Sequence, residues 1–212
     1  MYLLSVTPCK GKGIMANITI IEKPDWITFD DIHNLLYSAH EINREKGFVV
    51  KTALMSGEEL KEHIGDRGKC FVALDGDKLV GTTSYRVLDR NYWCAKGEVL
   101  DRVLAGVSPE YKGMHISTML FSKIVEEAKK NGFKYIESKT AEDNEIVQII
   151  NLKDGYRYID FKSTTADHYT VVMLQWLDGC PYTQKQTDRY FKLKRFLVKL
   201  RFKPGRIKRF GI

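Results

Sequence analysis

The sequence predicts an α/β domain that begins with antiparallel strands and carries a strand–helix–strand unit in its middle. Three observations lead there. Short β-branched runs bounded by turn residues recur early, apolar residues at helical spacing mark the segments between them, and the middle of the chain alternates helix with strand. The 212 residues, 43% hydrophobic and 29% charged, are enough for one well-cored domain and a tail. No internal repeat is present.

Each element follows in order. "NITIIEKP" is β-branched and stops at Pro24, so it reads as the first strand. Thr28, with Asp31 three residues on, caps a helix whose apolar face is Ile32, Leu35, Leu36, Ala39 and Ile42, continuing to Gly47. Ser56 and Glu59 open a shorter helix, "SGEELKEHIG". "KCFVALDGDKLVGTTSYRVL" is two strands joined at an Asp-Gly turn, and "EVLDRVLAGVSP" is a further strand ended by Pro109. Ile116, Met119, Leu120, Ile124 and Ala128 mark a helix that stops at Asn131-Gly132, before the strand "FKYIESKT". The helix "EDNEIVQIINLKD" ends at Gly155, and the strands "YRYIDFKSTT" and "HYTVVMLQWL" pair most simply as a hairpin. The domain therefore spans residues 17–178. Before it, residues 1–16 form a loose arm with no helical or strand period, in which Met15 is a second candidate start; after it, residues 179–212 form a basic amphipathic tail.

The formal charge is +7, and its location matters more than its size. From Lys185 to Ile212 there are eleven Lys/Arg against the single acid Asp188, so the tail carries about +10 and the preceding chain about −3. That confinement argues against a nucleic-acid-binding domain, which needs basic residues across an aromatic-bearing face of the folded part. No apolar run approaches the roughly 20 residues of a membrane span, and "MYLLSVTPCK" is too weakly apolar for a signal peptide. Cys9, Cys70, Cys94 and Cys180 form no pair at metal-ligand spacing; they read as free thiols of a reducing cytoplasm, and no metal is expected.

The stretch "VSPEYKGMHISTMLF", Val107 to Phe121, is the end of a strand, a short loop with one early glycine, and the first turns of a helix. Such a junction presents backbone N–H groups to an anion. Downstream, "NEIVQIINLKDGY" holds Asn144, Val147, Ile150, Asn151, Lys153, Gly155 and Tyr156 in register. Together the two resemble the GNAT superfamily of acyl-CoA-dependent N-acyltransferases. Its members show a strand ending in V-x-P-E-Y, then [RQK]-x-x-G-x-[GA] entering a helix, then N-x-x-A-x-x-L-Y-x-K-x-G-F. The resemblance covers Asn17 to about Asp178 and leaves the tail outside. It implies a GNAT-like fold: a mixed, mostly antiparallel central sheet flanked by helices, here with a basic C-terminal extension.

The resemblance further implies that acetyl-CoA is the acyl donor. Its pyrophosphate would rest on the N–H groups of Gly113, Met114, His115, Ile116 and Ser117, with Lys112 and the Thr118 hydroxyl as added donors. Its pantetheine arm would run along Ala105–Val107, with the Val107 N–H polarising the thioester carbonyl and Asn144 tethering the arm. Three positions depart from the family pattern. His115 and Ser117 stand where glycine and Gly/Ala are usual; both are expected in the first helical turn, at αR angles that suit any L-residue. His115 is then either a solvated residue or a side-chain donor to phosphate. Asn151 stands where many members carry a tyrosine that protonates the departing thiolate; an amide can stabilise the thiolate by hydrogen bonding while water supplies the proton.

An amine acceptor needs a base, and strand alternation puts Asp101 on one face with Val103, Ala105 and Val107. Asp101 is the first candidate and Glu98 the second, with a paired surface carboxylate near Arg102 as the alternative for Asp101. Tyr37, His40 and Arg44, with Glu41 and Asn43 beside them, recur on the first helix opposite its apolar face. They form either a solvated surface or an acceptor-binding wall suited to a sugar or other polar amine. In the tail, Leu193, Phe196, Leu197 and Leu200 fall at helical spacing among cations, and Pro204-Gly205 ends the run. The readings are a helix docked on the acidic-leaning core, a basic helix on an anionic membrane surface, or contact with an acidic partner through residues 185–212.

The expected activity is direct, sequential transfer of acetyl from acetyl-CoA to a primary amine of a polar small molecule, an amino sugar being the first guess. The expected setting is the cytoplasm, with the tail offering a peripheral position at the inner face of the membrane. The alternative is a non-catalytic acyl-CoA-binding module whose tail docks a partner or membrane surface.

Overall fold

The structure, a computed structural model, describes residues 17–45, 47, 50–163 and 168–201; the N-terminal arm and the Pro204-Gly205 stop lie outside them. The elements are β1 (Ile18–Glu22), α1 (Phe29–Ala39), α2 (Glu41–Glu45), α3 (Gly57–Ile64), β2 (Lys69–Asp75), β3 (Lys78–Asn91), β4 (Lys96–Val107), α4 (Ile116–Lys130), β5 (Tyr135–Ala141), α5 (Glu145–Lys153), β6 (Arg157–Ser163), β7 (Tyr169–Trp176) and α6 (Gln184–Arg201). The strands make a seven-stranded sheet in the order β1-β2-β3-β4-β5-β7-β6. Pairing is antiparallel for β1 with β2, β5 with β7 and β6 with β7; β4 and β5 are parallel, at Leu100 with Ile136 and Asp101 with Glu137. The chain divides into two compact units, one of the chain up to Ser84 with Leu104–Lys123, the other of Tyr85–Val103 with the chain from Ile124.

In the first unit, α1 starts at the expected capping box: Thr28 Oγ1 accepts from the Asp31 N–H, and Asp31 Oδ2 accepts from the Thr28 N–H. Ile32, Leu35 and Leu36 are buried beneath it. The sequence predicts one helix to Gly47, but the helix stops at His40, which leaves helical angles at φ −103°, ψ 12°. The His40 ring bonds to Ala105 O, and the short α2 restarts with the Arg44 N–H donating to His40 O, so Ile42 stands exposed. The second capping box, Ser56 with Glu59, opens α3 as expected. Helix α4 buries Ile116 and Leu120, and the missing side chain at Gly81 makes room for them: a Cβ there would lie 3.0 Å from Ile116 Cγ2 and 3.2 Å from Leu120 Cδ1.

In the second unit, Val99, Ile159, Val172 and Leu174 are wholly buried at the centre of one apolar cluster. Strands β6 and β7 pair as the predicted hairpin, with a register irregularity between Tyr158 and Asp160. Helix α6 docks on β6, but by a different face from the one its apolar spacing suggests. Phe191 stacks on Tyr158 at 4.5 Å, Tyr190 meets Trp93 at 4.5 Å and Thr187 is buried, while Leu193, Phe196, Leu197 and Leu200 are exposed. The reason is ionic as well as aromatic: Lys194 pairs with Asp160, and Arg195 and Lys199 with Glu142.

Candidate active site

The first unit holds the loop that leads into α4. Pro109–Tyr111 form one 3-10 turn, tied to the β2–β3 hairpin by Lys78 Nζ to Glu110 Oε2 at 2.8 Å and by the Tyr111 hydroxyl to Asp75 Oδ2 at 2.9 Å. The chain then turns sharply, through Gly113 at φ +84° and His115 at φ +58°. His115 is thus left-handed, not helical as its position in the motif predicts. A non-glycine residue there costs roughly 1 kcal/mol, because Cβ crowds the following carbonyl. Ser117 does lie within the helix, where its side chain imposes no strain.

The helical bond at the head of α4 runs from the Met119 N–H to His115 O. The N–H groups of Ile116, Ser117 and Thr118 precede it and have no acceptor one turn back, as at any helix start. Lys112, Gly113, Met114, His115, Ser117 and Thr118 are exposed around them. Open N–H groups, a lysine, two hydroxyls and the positive end of a fifteen-residue helix suit a phosphate-bearing ligand.

Strand β4 reaches this loop with a feature no sequence pattern signals. Leu104, buried, takes φ +51° within the strand, which re-aims the backbone of Ala105–Val107. The Ser108 N–H donates to Val80 O at 2.8 Å, so strand alternation turns the Val107 N–H toward the opposite edge. Ala105 O lies 3.1 Å from His40 Nε2, which donates to it; that carbonyl keeps one lone pair for another donor.

The first-helix polar residues do come together. Asn43 Nδ2 lies 3.0 Å from His40 Nδ1, so the imidazole is neutral, with Nε2 as donor and Nδ1 as acceptor. Burial, with the neighbouring Arg44 and Lys112 charges, holds His40 below the usual histidine range despite its bond to Ala105 O. The Arg44 guanidinium lies 3.7 Å above the Tyr37 ring and donates to Tyr37 O, and Glu41 is exposed beside it.

The second unit holds the remaining candidates, with Asp101 in a buried ionic network. Asp101 is 1% exposed; its Oδ2 accepts from Arg86 Nε and Lys139 Nζ, each at 2.9 Å, and its Oδ1 has no hydrogen-bond partner. Lys139 also reaches Glu137, which is fully buried and accepts from Arg90 and, at 2.5 Å, from the Tyr92 hydroxyl. Burial alone would raise the Glu137 carboxyl, but Lys139, Tyr92 and Arg90 outweigh it and hold it below the usual range. Glu98 is exposed near the start of β4.

Asn151 is wholly buried. Its Nδ2 donates to Ser138 Oγ at 3.0 Å and points at Met173 Sδ at 3.7 Å, while Oδ1 accepts from Arg102 Nη2 at 2.9 Å. Sequence reasoning missed Arg102 as Asn151's partner, since the two are 49 residues apart. Asn144 caps α5, its Oδ1 accepting from the Val147 N–H, which leaves Nδ2 for another acceptor. Among the described residues no group of three or more His, Cys, Asp or Glu can hold a metal ion, and no helix is long and apolar enough to cross a membrane.

A mixed sheet with an open helix start after β4 is an arrangement suited to a phosphate-bearing ligand. The chain matches the Acetyltransferase (GNAT) family over residues 29–148, and it belongs to that family. Solved structures share the fold at low identity. The ribosomal-protein-S18-alanine N-acetyltransferase of Escherichia coli is 14% identical with a TM-score of 0.58, over 76% of this chain and 94% of that one. A GNAT family acetyltransferase of Elizabethkingia anophelis with acetyl-CoA bound is 14% identical with a TM-score of 0.56, over 76% and 98%. An aminoglycoside 6'-N-acetyltransferase complexed with coenzyme A is 14% identical with a TM-score of 0.55, over 77% and 99%. No curated protein sequence matches.

Proposed function

We propose that this GNAT acetyltransferase moves acetyl from acetyl-CoA directly to a primary amine of a polar small molecule, an amino sugar being the favoured acceptor. The observation that carries the donor half is the head of α4, where Lys112 is exposed and the N–H groups of Ile116, Ser117 and Thr118 have no acceptor one turn back. Two of the structural neighbours hold acetyl-CoA or coenzyme A, which supports the same reading. Bound acetyl-CoA would supply the thioester whose C–S bond breaks as the C–N bond to the amine forms. The chain's own part is positional: the loop holds pyrophosphate, the Val107 N–H holds the carbonyl oxygen, and the Asn144 Nδ2 holds the arm.

The acceptor wall is Tyr37 with its stacked Arg44, the neutral His40 with Asn43, and Glu41. It offers polar groups held by one another, as a hydroxyl-rich amine needs; an aminoglycoside acetyltransferase among the neighbours is consistent with it. Asp101 would take the ammonium proton on Oδ1, the oxygen left open. Asp101→Asn is then expected to lower turnover with acetyl-CoA binding retained; a variant that is only less stable makes Asp101 a structural node and passes the proton to water or Glu98.

The engagement of Asn151 by Ser138, Met173 and Arg102 favours a second reading, a non-catalytic acyl-CoA-binding module whose basic tail docks a partner or membrane surface. Free thiols at Cys70, Cys94 and Cys180 fit a cytoplasmic setting. The deciding experiment is calorimetric titration with acetyl-CoA beside dephospho and pantetheine analogues, followed by an amine screen. Micromolar binding that collapses without the pyrophosphate, and turnover on an amino sugar, is the expected result. Binding with no turnover on any amine selects the second reading, and no binding overturns both.

A further inference from the structure

Helix α6 is held to its unit by one face, which leaves a second, chemically distinct face outward. At about 100° per residue, Thr187, Phe191, Lys194 and Val198 share an arc of roughly 60°. This is the docked side, fixed by the Phe191–Tyr158 stack and by the Lys194–Asp160 pair. Leu193, Phe196, Leu197 and Leu200 share an arc of roughly 100° whose centre lies about 140° away. They are 58%, 60%, 52% and 39% exposed, an unusual concentration of large apolar side chains for a solvated surface.

The cations of the helix divide in the same way. Arg195 and Lys199 turn inward to Glu142, whereas Lys185, Arg189, Lys192 and Arg201 are exposed. On the wheel, Lys185 and Lys192 border the apolar strip on one side, Arg201 borders it on the other, and Arg189 lies within it one turn before Leu193. Beyond Arg201 the sequence keeps the same chemistry, with Lys203, Arg206, Lys208 and Arg209 among Phe202, Ile207, Phe210 and Ile212, and no acid.

We infer that this outward face of α6 is a docking surface for an anionic lipid bilayer, with the four apolar side chains entering the interface and the bordering cations meeting lipid phosphates. Charge complementarity selects the occupant. A second copy would bring the same cations against themselves, a like-charge contact that disfavours a symmetric dimer. A purely polyanionic partner would use the cations and leave the apolar strip in water. A bilayer satisfies both, since apolar burial and attraction to anionic headgroups add. The contacts that hold α6 to β6 set the helix in place beforehand, so its ordering is not lost on docking.

The test is flotation of the full-length protein with vesicles of phosphatidylcholine, with and without phosphatidylglycerol. The expected result is flotation with the anionic vesicles only, weakening as salt is raised. Two variants decide the face: Leu193→Gln, Phe196→Gln, Leu197→Gln and Leu200→Gln combined, and Lys185→Gln, Arg189→Gln and Lys192→Gln combined. Each should reduce partitioning at least about tenfold while the thermal midpoint holds, because the changed side chains are exposed. No flotation of the unaltered protein, equal flotation with neutral vesicles, or apolar variants that float like the unaltered protein overturns the inference. So does a dimer by light scattering that the apolar variant dissolves, since the strip then faces a second copy.

Discussion

The two units handle polarity in opposite ways. In the first, the head of α4 leaves its first-turn N–H groups without acceptors and Lys112, Ser117 and Thr118 exposed. In the second, Arg86, Asp101, Lys139, Glu137, Arg90 and Tyr92 pair with one another along the strands, with both carboxylates almost fully buried and Asp101 Oδ1 alone left without a partner. Open donors gain from an incoming anion, because little is displaced except water. A paired ionic network has little to offer an anion and loses heavily when one member is removed. Anion binding is therefore expected to belong to the first unit and rigidity to the second.

The largest test of that division is Glu137→Gln. It leaves Arg90 without its carboxylate and Lys139 with Asp101 alone, and the expected cost is about 3 kcal/mol in denaturant unfolding, with acetyl-CoA affinity of the folded protein within a few-fold. A change below about 0.5 kcal/mol would remove the contrast. Next is Lys112→Ala, expected to weaken acetyl-CoA binding about tenfold at low salt, and less at high salt, without moving the unfolding midpoint. Unchanged calorimetric affinity would leave the backbone N–H groups as the whole anion site.

Smaller in size is His115→Gly. Relieving the left-handed histidine should add about 1 kcal/mol of stability, and affinity should stay within a few-fold. A hundredfold loss would make the imidazole a phosphate ligand. Smallest is the pH response of His40 in the proposed acceptor wall. The folded protein holds His40 below the ordinary value of 6.5, so the unfolded chain takes up the proton first and stability is lost as pH falls through that value. Unfolding midpoints measured from about pH 7.5 to about pH 5 should fall, and His40→Gln should flatten this part of the fall.

Much of the fold was legible because its signals are local. The capping boxes at Thr28 and Ser56, the turn after Asp75 and the stop at Asn131-Gly132 each act within a few residues, and all appear. The loop in "VSPEYKG" was legible too, although the sequence alone could not say that Glu110 and Tyr111 pin it to Lys78 and Asp75. Helix α5 runs against hydropathy: Gln148 and Asn151 are buried, and Ile146, Ile149 and Ile150 are exposed. Its amides reach Ala141 O, Glu142 O and Ser138 Oγ, partners that no periodicity reveals.

By itself, then, the sequence determined the order of the elements, the loop that heads α4 and the family to which the chain belongs, since each is written in short-range spacing. Tertiary structure decided the break at His40, the left-handed turns at Leu104 and His115, the partners of Asp101 and Asn151, and the face by which α6 docks. Those choices depend on groups 15 to 65 residues apart, such as Arg86 with Asp101 and His40 with Ala105. Competition between a local pattern and a distant partner is settled when the chain closes, because a buried polar group without its partner costs more than a local preference supplies.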